Sequence, residues 1–248
     1  MLAAIDLGSN SFHMVVARLE HGVPVVVDRI REHVRMAAGL DADKQISPYA
    51  WASAIECLAR FGERLADFRP EKVRAVGTNT LRKARNARAF LDAARDALGH
   101  DIEVIKGREE ARLIYLGVAH AVDQGSERGR RLVVDIGGGS TELIVGERFE
   151  PVQRDSVQMG CVSYRRRYFD EIAITRKAVD RAIVAARLEV RSLESQYKAL
   201  GWDVALGSSG TIKAIDSVLR ANQWTRRGIT AEGLDRLLDA LVAKRYES

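Results

Sequence analysis

Cysteine is scarce in this sequence, and its scarcity excludes disulfide-stapled and cysteine-rich metal-binding proteins. Only Cys57 and Cys161 occur among 248 residues, and neither stands in a metal-ligand spacing. Because two distant cysteines make no disulfide framework, we expect a reduced, cytoplasmic setting. The sequence also lacks a run of about 18 apolar residues and a basic leader followed by an apolar stretch. We therefore expect neither membrane spanning nor export.

Aromatic residues are also few, at 6% of the chain, and Trp51, Trp202 and Trp224 lie far apart in the sequence. Stacking of nucleic-acid bases needs clustered aromatic side chains, so nucleic-acid binding is disfavoured. Basic residues outnumber acidic ones by 39 to 34, which gives a net charge of +5. This excess favours anionic partners such as phosphates and nucleotides, although a solvated basic surface explains it equally well.

The order of predicted elements divides the chain into two related halves. Three strands open the first half, and helices and strands then alternate. Ser47 and Pro48 predict a helix start, and apolar spacing predicts one continuous helix over residues 81–98. Residues 123–130 are polar and rich in turn formers, which predicts domains at residues 1–123 and 130–248.

The restart after this boundary repeats sequence as well as element order. Residues 6–11 align with residues 135–140 at an offset of 129, and residues 77–80 align with residues 207–210 at an offset of 130. Each of these segments follows an apolar strand. Two matched segments at nearly one offset indicate a duplicated architecture.

The matched segments combine an aspartate with a turn of small residues. Glycine lets main-chain N–H groups point into one concavity, and the neighbouring serine and threonine hydroxyls add donors. Asp6 and Asp135 supply hard carboxylate oxygens suited to Mg²⁺. Segments 77–80 and 207–211 open predicted helices, whose N-termini attract anions. A single Asp-x-Gly turn is equally typical of an ordinary hairpin, but the combination predicts a phosphate site.

Two glutamates are candidate catalytic groups. Glu110 lies in the first turn of a predicted helix near the domain boundary, where it could accept a proton from a water attacking phosphorus. Its acidic charge could instead simply complement the helix dipole. Glu142 follows the second glycine-rich turn, and it could equally be an exposed polar residue of a strand.

Residues 6–11, 77–82, 107–111 and 135–142 resemble the motifs of the exopolyphosphatase / guanosine pentaphosphate phosphohydrolase (Ppx/GppA) family, within the actin–Hsp70–sugar-kinase superfamily. The resemblance runs over nearly all of the chain. It implies an α/β fold of two ribonuclease-H-like (actin-like ATPase) domains with an interdomain cleft, the second domain continuing beyond Ser248. It also implies Mg²⁺-dependent hydrolysis of the terminal phosphoryl group of polyphosphate or guanosine pentaphosphate, and a homodimer in the full-length protein.

The resemblance also implies a role for each matched residue. Glu110 would activate the attacking water, while Asp135 and Glu142 would organise metal and phosphate as catalytic groups, with Asp6 as a further metal ligand. The residues implied to bind phosphate lie in the matched turns and helix starts: Gly8, Ser9, Asn10, Ser11, Thr78, Asn79, Arg82, Gly137, Gly138, Gly139, Ser140, Thr141, Gly207, Ser208, Ser209 and Gly210.

Two other functions fit the same residues. A binding or sensor module would grip polyphosphate or guanosine tetraphosphate without cleaving it, and a phosphotransferase would pass the phosphoryl group to an acceptor other than water. Basic runs at residues 82–88 and 165–167 could guide a polyanion, although such runs are more often solvated faces.

Overall fold

The computed structural model describes residues 1–122, 129–169 and 174–243. The chain forms two compact units, Met1–Gly107 and Arg108–Ser248. Among the helices in the described ranges, none combines the length and apolarity that crossing a bilayer requires.

The first unit is built on a five-stranded mixed sheet. Its strands are β1 (Leu2–Leu7), β2 (Phe12–Glu20), β3 (Val23–Glu32), β4 (Val73–Gly77) and β5 (Ile102–Val104). They lie in the order β3-β2-β1-β4-β5, with β1 antiparallel to β2 and parallel to β4. Its helices are α1 (Pro48–Leu65), α2 (Asn79–Lys83) and α3 (Ala87–Leu98), and a 3-10 turn spans Pro70–Lys72.

Helix α1 begins where the sequence predicts. The Ser47 hydroxyl accepts a hydrogen bond from the main-chain N–H of Ala50 over 3.4 Å, and Pro48 occupies the first turn. The apolar stripe of α1, including Leu58 and Phe61, is buried in the core together with Phe90 of α3. Each such side chain stabilises the fold by about 1.5–3 kcal/mol.

The prediction of one helix over residues 81–98 is wrong, because the chain forms α2 and α3 with a turn between them. At the break, the side chain of Asn86 bonds a distant segment of the chain. Its amide oxygen accepts a hydrogen bond from the main-chain N–H of Ile46 over 2.9 Å, and its amide nitrogen donates to the Ile46 carbonyl over 3.2 Å. The basic run at residues 82–88 therefore does not lie along one helix.

The second unit repeats the plan of the first. Its elements are α4 (Gly107–Val122), β6 (Arg130–Ile136), β7 (Thr141–Glu147), β8 (Glu150–Val157), α5 (Cys161–Tyr168), α6 (Arg176–Leu200), β9 (Val204–Ser208), α7 (Ser209–Ala221) and α8 (Ala231–Ala243). The sheet order β8-β7-β6-β9 matches β3-β2-β1-β4 position by position, with the same strand directions. The architecture is therefore duplicated, as the matched segments predict.

Helix α4 packs with the second sheet. Its residues Ala111, Tyr115 and Ala119 share an apolar cluster with Val133 and Ile144 of β6 and β7. The sequence predicts this helix as part of the first domain, because the polar segment of residues 123–130 follows it. Residues 123–128, most of that predicted boundary, lie outside the described residues.

Candidate active site

A row of polar side chains crosses the second sheet near the ends of its strands. Asp135 on β6 lies directly opposite Glu142 on β7, and it also lies opposite Ser208 on β9. Ser156 on β8 lies opposite Glu142 on its other side. Because directly opposed residues point to one face of a sheet, these four side chains form a line, which we call the acidic row.

Hydrogen bonds hold the carboxylates of the acidic row in place. The Ser156 hydroxyl donates to Oε1 of Glu142 over 2.7 Å, and the Ser140 side chain also bonds this carboxylate. Ser208 bonds the carboxylate of Asp135. Glu142 is only 1% exposed, so it is a buried member of the site and not the exposed strand residue that the sequence also allowed.

Burial sets the electrostatics of this row. It raises the pKa of Glu142 to about 8, with the negative charge of Glu110 as the second cause and that of Asp135 as a smaller one. The serine hydrogen bonds pull this pKa back down. Burial also raises the pKa of Asp135, against the hydrogen bond from Ser208. The row is an acidic cluster that a bound cation would relieve.

Glu110 reaches this cluster from the first turn of α4. The next residue, Ala111, is fully buried and anchors the helix on the sheet. The neighbouring Glu109 forms an ion pair with Arg112 over 2.7 Å, whereas Glu110 acts electrostatically on Glu142. The structure therefore brings together Glu110, Asp135 and Glu142, the three residues predicted to be catalytic.

The turn between β6 and β7, residues 137–140, is fixed by hydrogen bonds, and we call it the glycine loop. The N–H of Gly137 donates to the Ser140 carbonyl over 3.0 Å. The carbonyls of Gly137 and Gly138 accept from the N–H groups of Cys161 and Val162 over 2.9 and 3.0 Å. The first amides of α5 are thus occupied by the loop.

Close packing also fixes the glycine loop. A Cβ atom on Gly160 would lie 2.4 Å from the main-chain nitrogen of Gly139, closer than real contacts allow. Beside the loop, the Thr141 hydroxyl donates to the Met159 carbonyl over 2.6 Å. The segment leading into α5 therefore leaves the loop little freedom to move.

The second predicted phosphate segment of this unit opens α7. The Ser209 hydroxyl donates to the Ile136 carbonyl over 2.9 Å, which ties α7 to the end of β6. A Cβ on Gly207 would lie 2.4 Å from Ile212, so glycine here permits close packing of the helix. Gly210 lies exposed in the first turn of α7, where main-chain N–H groups are free of intrahelical partners.

In the first unit, residues 8–11 form the corresponding turn between β1 and β2. The carbonyls of Ser9 and Asn10 accept from the N–H groups of Ala37 and Arg35 over 2.8 and 2.9 Å. The Ser11 hydroxyl lies within hydrogen-bond distance, 3.0 Å, of Nδ1 of His33. A Cβ on Gly8 would lie 2.7 Å from the Ser11 carbonyl oxygen, so the turn requires glycine there.

The start of α2 packs onto this turn. The Thr80 hydroxyl donates to the Ser9 hydroxyl over 2.9 Å, and the Thr78 hydroxyl donates to the Leu7 carbonyl over 3.3 Å. Asn79, which lies between these two threonines in the sequence, is also buried. Arg82 donates to the Ile105 carbonyl over 2.9 Å, so its guanidinium is oriented by the chain just after β5.

The predicted metal ligands are divided between the two units. Asp135 and Glu142 oppose each other in the second sheet, whereas Asp6 is exposed near the end of β1 in the first. In the described ranges, no group of three or more His, Cys, Asp or Glu side chains is arranged to hold a metal ion. A ligand set that joins Asp6 to the acidic row stays a prediction.

Sequence reasoning missed two residues of this site. Ser156 donates to Glu142, and its position depends on a bulge that shifts the pairing of β7 with β8 between Val145 and Gly146. Without the extra residue, Glu142 would lie opposite Asp155, another carboxylate. Gly160 was missed because it contacts residues of the glycine loop that are distant in the sequence.

The chain matches proteins whose sequences and structures are known. The sequence profile of the Ppx/GppA phosphatase family matches residues 15–248. A guanosine-5'-triphosphate,3'-diphosphate pyrophosphatase of Aliivibrio fischeri is 44% identical over 247 residues, which are 100% of this chain and 47% of that protein. A Haemophilus influenzae protein, whose name assigns exopolyphosphatase activity provisionally, is 44% identical over 99% of this chain and 75% of its own length.

Solved structures share the fold. A Cytophaga hutchinsonii exopolyphosphatase superposes with a TM-score of 0.85 at 25% identity, over 98% of this chain and 80% of that one. The Aquifex aeolicus Ppx-GppA enzyme gives a TM-score of 0.78 at 24% identity, over 98% and 81%. These likenesses confirm the predicted class of two ribonuclease-H-like domains of the actin-like ATPase type.

The chain spans about half the length of the pyrophosphatase relatives that it matches. The family profile nevertheless covers all but the first 14 residues, and both matched relatives carry names of phosphoanhydride hydrolases. The chain therefore belongs to the Ppx/GppA phosphatase family.

Proposed function

We propose that this chain carries the hydrolytic centre of a phosphoanhydride hydrolase that removes the terminal phosphoryl group of polyphosphate or guanosine pentaphosphate. The observation that supports this most is the acidic row, with Glu110 held beside it on α4. The names of the relatives supply the two substrates, each with a terminal phosphoanhydride. The cytoplasmic setting expected from the scarcity of cysteine and the homodimer expected from the resemblance stay predictions.

Glu110 is the general base in this proposal. Its carboxylate accepts a proton from the water that attacks the terminal phosphorus, and α4 holds it in position through the buried Ala111. Phosphoryl transfer depends on positioning and charge stabilisation, which rigid main-chain donors supply without rearrangement. The glycine loop suits this role because hydrogen bonds and close contacts fix it.

Asp135 and Glu142 fit the requirements of a magnesium ion. They supply carboxylate oxygens, which Mg²⁺ prefers, and one or two carboxylates with waters and substrate oxygens suffice for its coordination. Burial raises the pKa of both, so the cluster is poised to gain from a divalent cation. Bound Mg²⁺ would neutralise charge on the phosphate oxygens. Asp6 is proposed as a further ligand from the first unit.

The proposal is tested by free-phosphate release from polyphosphate and from guanosine pentaphosphate. We expect release that requires Mg²⁺ and stops with EDTA, and that falls about 10²- to 10⁴-fold in Glu110→Gln. Glu109→Gln is the matched control, since its neighbouring carboxylate pairs with Arg112. Equal rates in the parent and Glu110→Gln would show that Glu110 is not the base. Tight binding without release would favour the non-catalytic binding module.

A further inference from the structure

The hydroxyl of Tyr197, near the end of α6, joins two strands of the second sheet. It donates to the Leu143 carbonyl on β7 over 2.6 Å and lies 3.1 Å from Oδ2 of Asp155 on β8. Leu143 and Asp155 lie directly opposite each other in the sheet. Tyr197 is only 6% exposed, so water does not readily replace these bonds. One buried hydroxyl therefore holds both members of a strand pair.

This strand pair is the immediate neighbour of the pair that Glu142 forms with Ser156. Because successive residues of a strand point to opposite faces of the sheet, Tyr197 bonds the sheet on the face opposite to that of the acidic row. It thus lies outside the site described above. Its bonds nevertheless act on the same main-chain segments that carry the glutamate and its hydrogen-bond donor.

Two glutamines extend this contact towards the bulge between β7 and β8. Nε2 of Gln153 donates to Oδ2 of Asp155 over 2.5 Å. Nε2 of Gln196, the neighbour of Tyr197 on α6, donates to Oε1 of Gln153 over 3.0 Å. Gln153 lies opposite Val145, where the bulge begins. Helix α6 therefore bonds β8 both at the bulge and at the pair next to the acidic row.

The acidic row depends on the register of β8. A shift of one residue along a strand moves every side chain to the other face of the sheet. Without the bulge, Asp155 would take the place of Ser156 beside Glu142, and the two carboxylates would repel each other. The hydrogen bonds to Asp155 hold its carboxylate on the face of α6. They therefore favour the bulged register.

The same part of β8 also bonds the helix that carries Glu110. Nε of Arg108, in the first turn of α4, donates to the Arg154 carbonyl over 3.2 Å. Arg154 lies between Gln153 and Asp155 in the sequence, which are the two residues of β8 held from α6. A shift of β8 would therefore disturb the start of α4 as well as the acidic row.

We propose that Tyr197 is a positioning residue for the hydrolytic centre, because it holds β8 in the register that places the Ser156 hydroxyl against Glu142. This inference rests on the proposed function, in which Glu142 helps to bind Mg²⁺. The effect of Tyr197 is indirect and passes through the strand pair. Burial, followed by the charge of Asp155, raises the pKa of Tyr197, so its hydroxyl keeps the donated proton at neutral pH.

The test compares Tyr197→Phe with Tyr115→Phe, which removes a hydroxyl of the same kind from the same unit. Tyr115 is fully buried on α4 and donates to the Arg148 carbonyl over 3.1 Å, at the turn end of the same β7–β8 hairpin. Each variant should lower the melting temperature by about 2–4 °C, because each loses one buried hydrogen bond. Stability alone therefore does not separate the two variants.

Amide hydrogen exchange without metal or substrate measures how firmly the strand pair is held. In Tyr197→Phe, we expect exchange at residues 141–143 and 155–157 to quicken roughly three- to tenfold, because one bond that resists local opening is lost. Tyr115→Phe should leave exchange at these residues like that of the parent. Parent-like exchange there in Tyr197→Phe would overturn the proposal, and so would an equal increase in both variants.

Magnesium binding measured by calorimetry without substrate tests the consequence for the acidic row. Tyr197→Phe should weaken Mg²⁺ binding about threefold or more, and Tyr115→Phe should not. In a Ser156→Ala background, Tyr197→Phe should add little, because the bond that it positions is already lost. Additive losses, or parent-like Mg²⁺ affinity in Tyr197→Phe, would overturn the positioning role. A parent protein that binds no Mg²⁺ would contradict the proposed function instead, and hydrogen exchange would still decide the role of Tyr197.

Discussion

Glu142 is expected to make the protein less stable at neutral pH than it would be with an uncharged side chain at this position. Burial and the charge of Glu110 raise the pKa of this carboxyl from 4.5 to about 8. The folded state therefore holds a proton that the unfolded chain releases. Below about pH 4.5 both states hold the proton, so the free energy of unfolding is not reduced by this group. As the pH rises from about 4.5 to about 8, the free energy of unfolding falls progressively. Glu142→Gln keeps an oxygen acceptor for the Ser156 hydroxyl and removes the charge.

The size of the effect follows from the pKa difference. Each unit of difference is worth about 1.4 kcal/mol, which sets an upper bound of about 5 kcal/mol for this group. Asp135 and Glu110 belong to the same acidic cluster, so part of the unfavourable burial and charge repulsion persists in Glu142→Gln. We therefore expect Glu142→Gln to raise the free energy of unfolding by about 2–4 kcal/mol at about pH 8, and by little at about pH 5.

Urea unfolding in EDTA, followed by circular dichroism, measures this difference across the pH range. Glu147→Gln is the matched control because Glu147 lies on the same strand, β7, but is exposed. Its effect should stay within about 0.5 kcal/mol at every pH. The reasoning is refuted if Glu142→Gln behaves like this control, or if its advantage does not grow between about pH 5 and about pH 8.

Three further outcomes follow from the packing. Gly160→Ala should lower the free energy of unfolding by about 1–3 kcal/mol, because its methyl group would collide with the glycine loop. Gly117→Ala, whose methyl group would enter open space on α4, should raise the free energy of unfolding by up to about 1 kcal/mol. Thermal melts in which both variants shift the melting temperature in the same direction would contradict this. A thiol reagent should label the exposed Cys161 in the native protein and label Cys57 only after unfolding, because Cys57 is buried and burial raises the pKa of its thiol to about 12. Equal labelling rates for the two thiols in the native protein would be inconsistent with that burial. Ser156→Ala should raise the Mg²⁺ concentration needed for half-maximal phosphate release several-fold, because Glu142 loses the hydroxyl that donates to it over 2.7 Å. An unchanged magnesium titration would contradict a role of Ser156 in positioning Glu142.

The duplicated fold could be predicted because local sequence carries its signals twice. An aspartate that ends an apolar strand, followed by small residues, gives the same hairpin in β1–β2 and in β6–β7. The broken helix could not be predicted, because the bonds made at the break, including that of Asn86 with Ile46, join residues about 40 positions apart. Local propensity contains no information about such a contact.

The same distinction applies to the site. The short turn of residues 137–140 sets the register between β6 and β7, so the pairing of Asp135 with Glu142 follows from sequence. The partner of Glu142 on β8 cannot be predicted from sequence, because the bulge places Ser156 and not Asp155 opposite Glu142. A hydrogen-bond donor therefore takes the place of a repelling carboxylate. The burial that raises the pKa of Glu142 likewise depends on packing across the whole unit.

The central claim is that Glu110 and the acidic row direct water onto a terminal phosphate. Hydrolysis of polyphosphate in ¹⁸O-labelled water with Mg²⁺ tests it most directly, with mass analysis of the released phosphate. The account predicts one solvent oxygen in each released phosphate, and release that is lost in Glu110→Gln but kept in Glu109→Gln. Phosphate passed to an acceptor without solvent oxygen, or labelled phosphate released at the parent rate by Glu110→Gln, would contradict it.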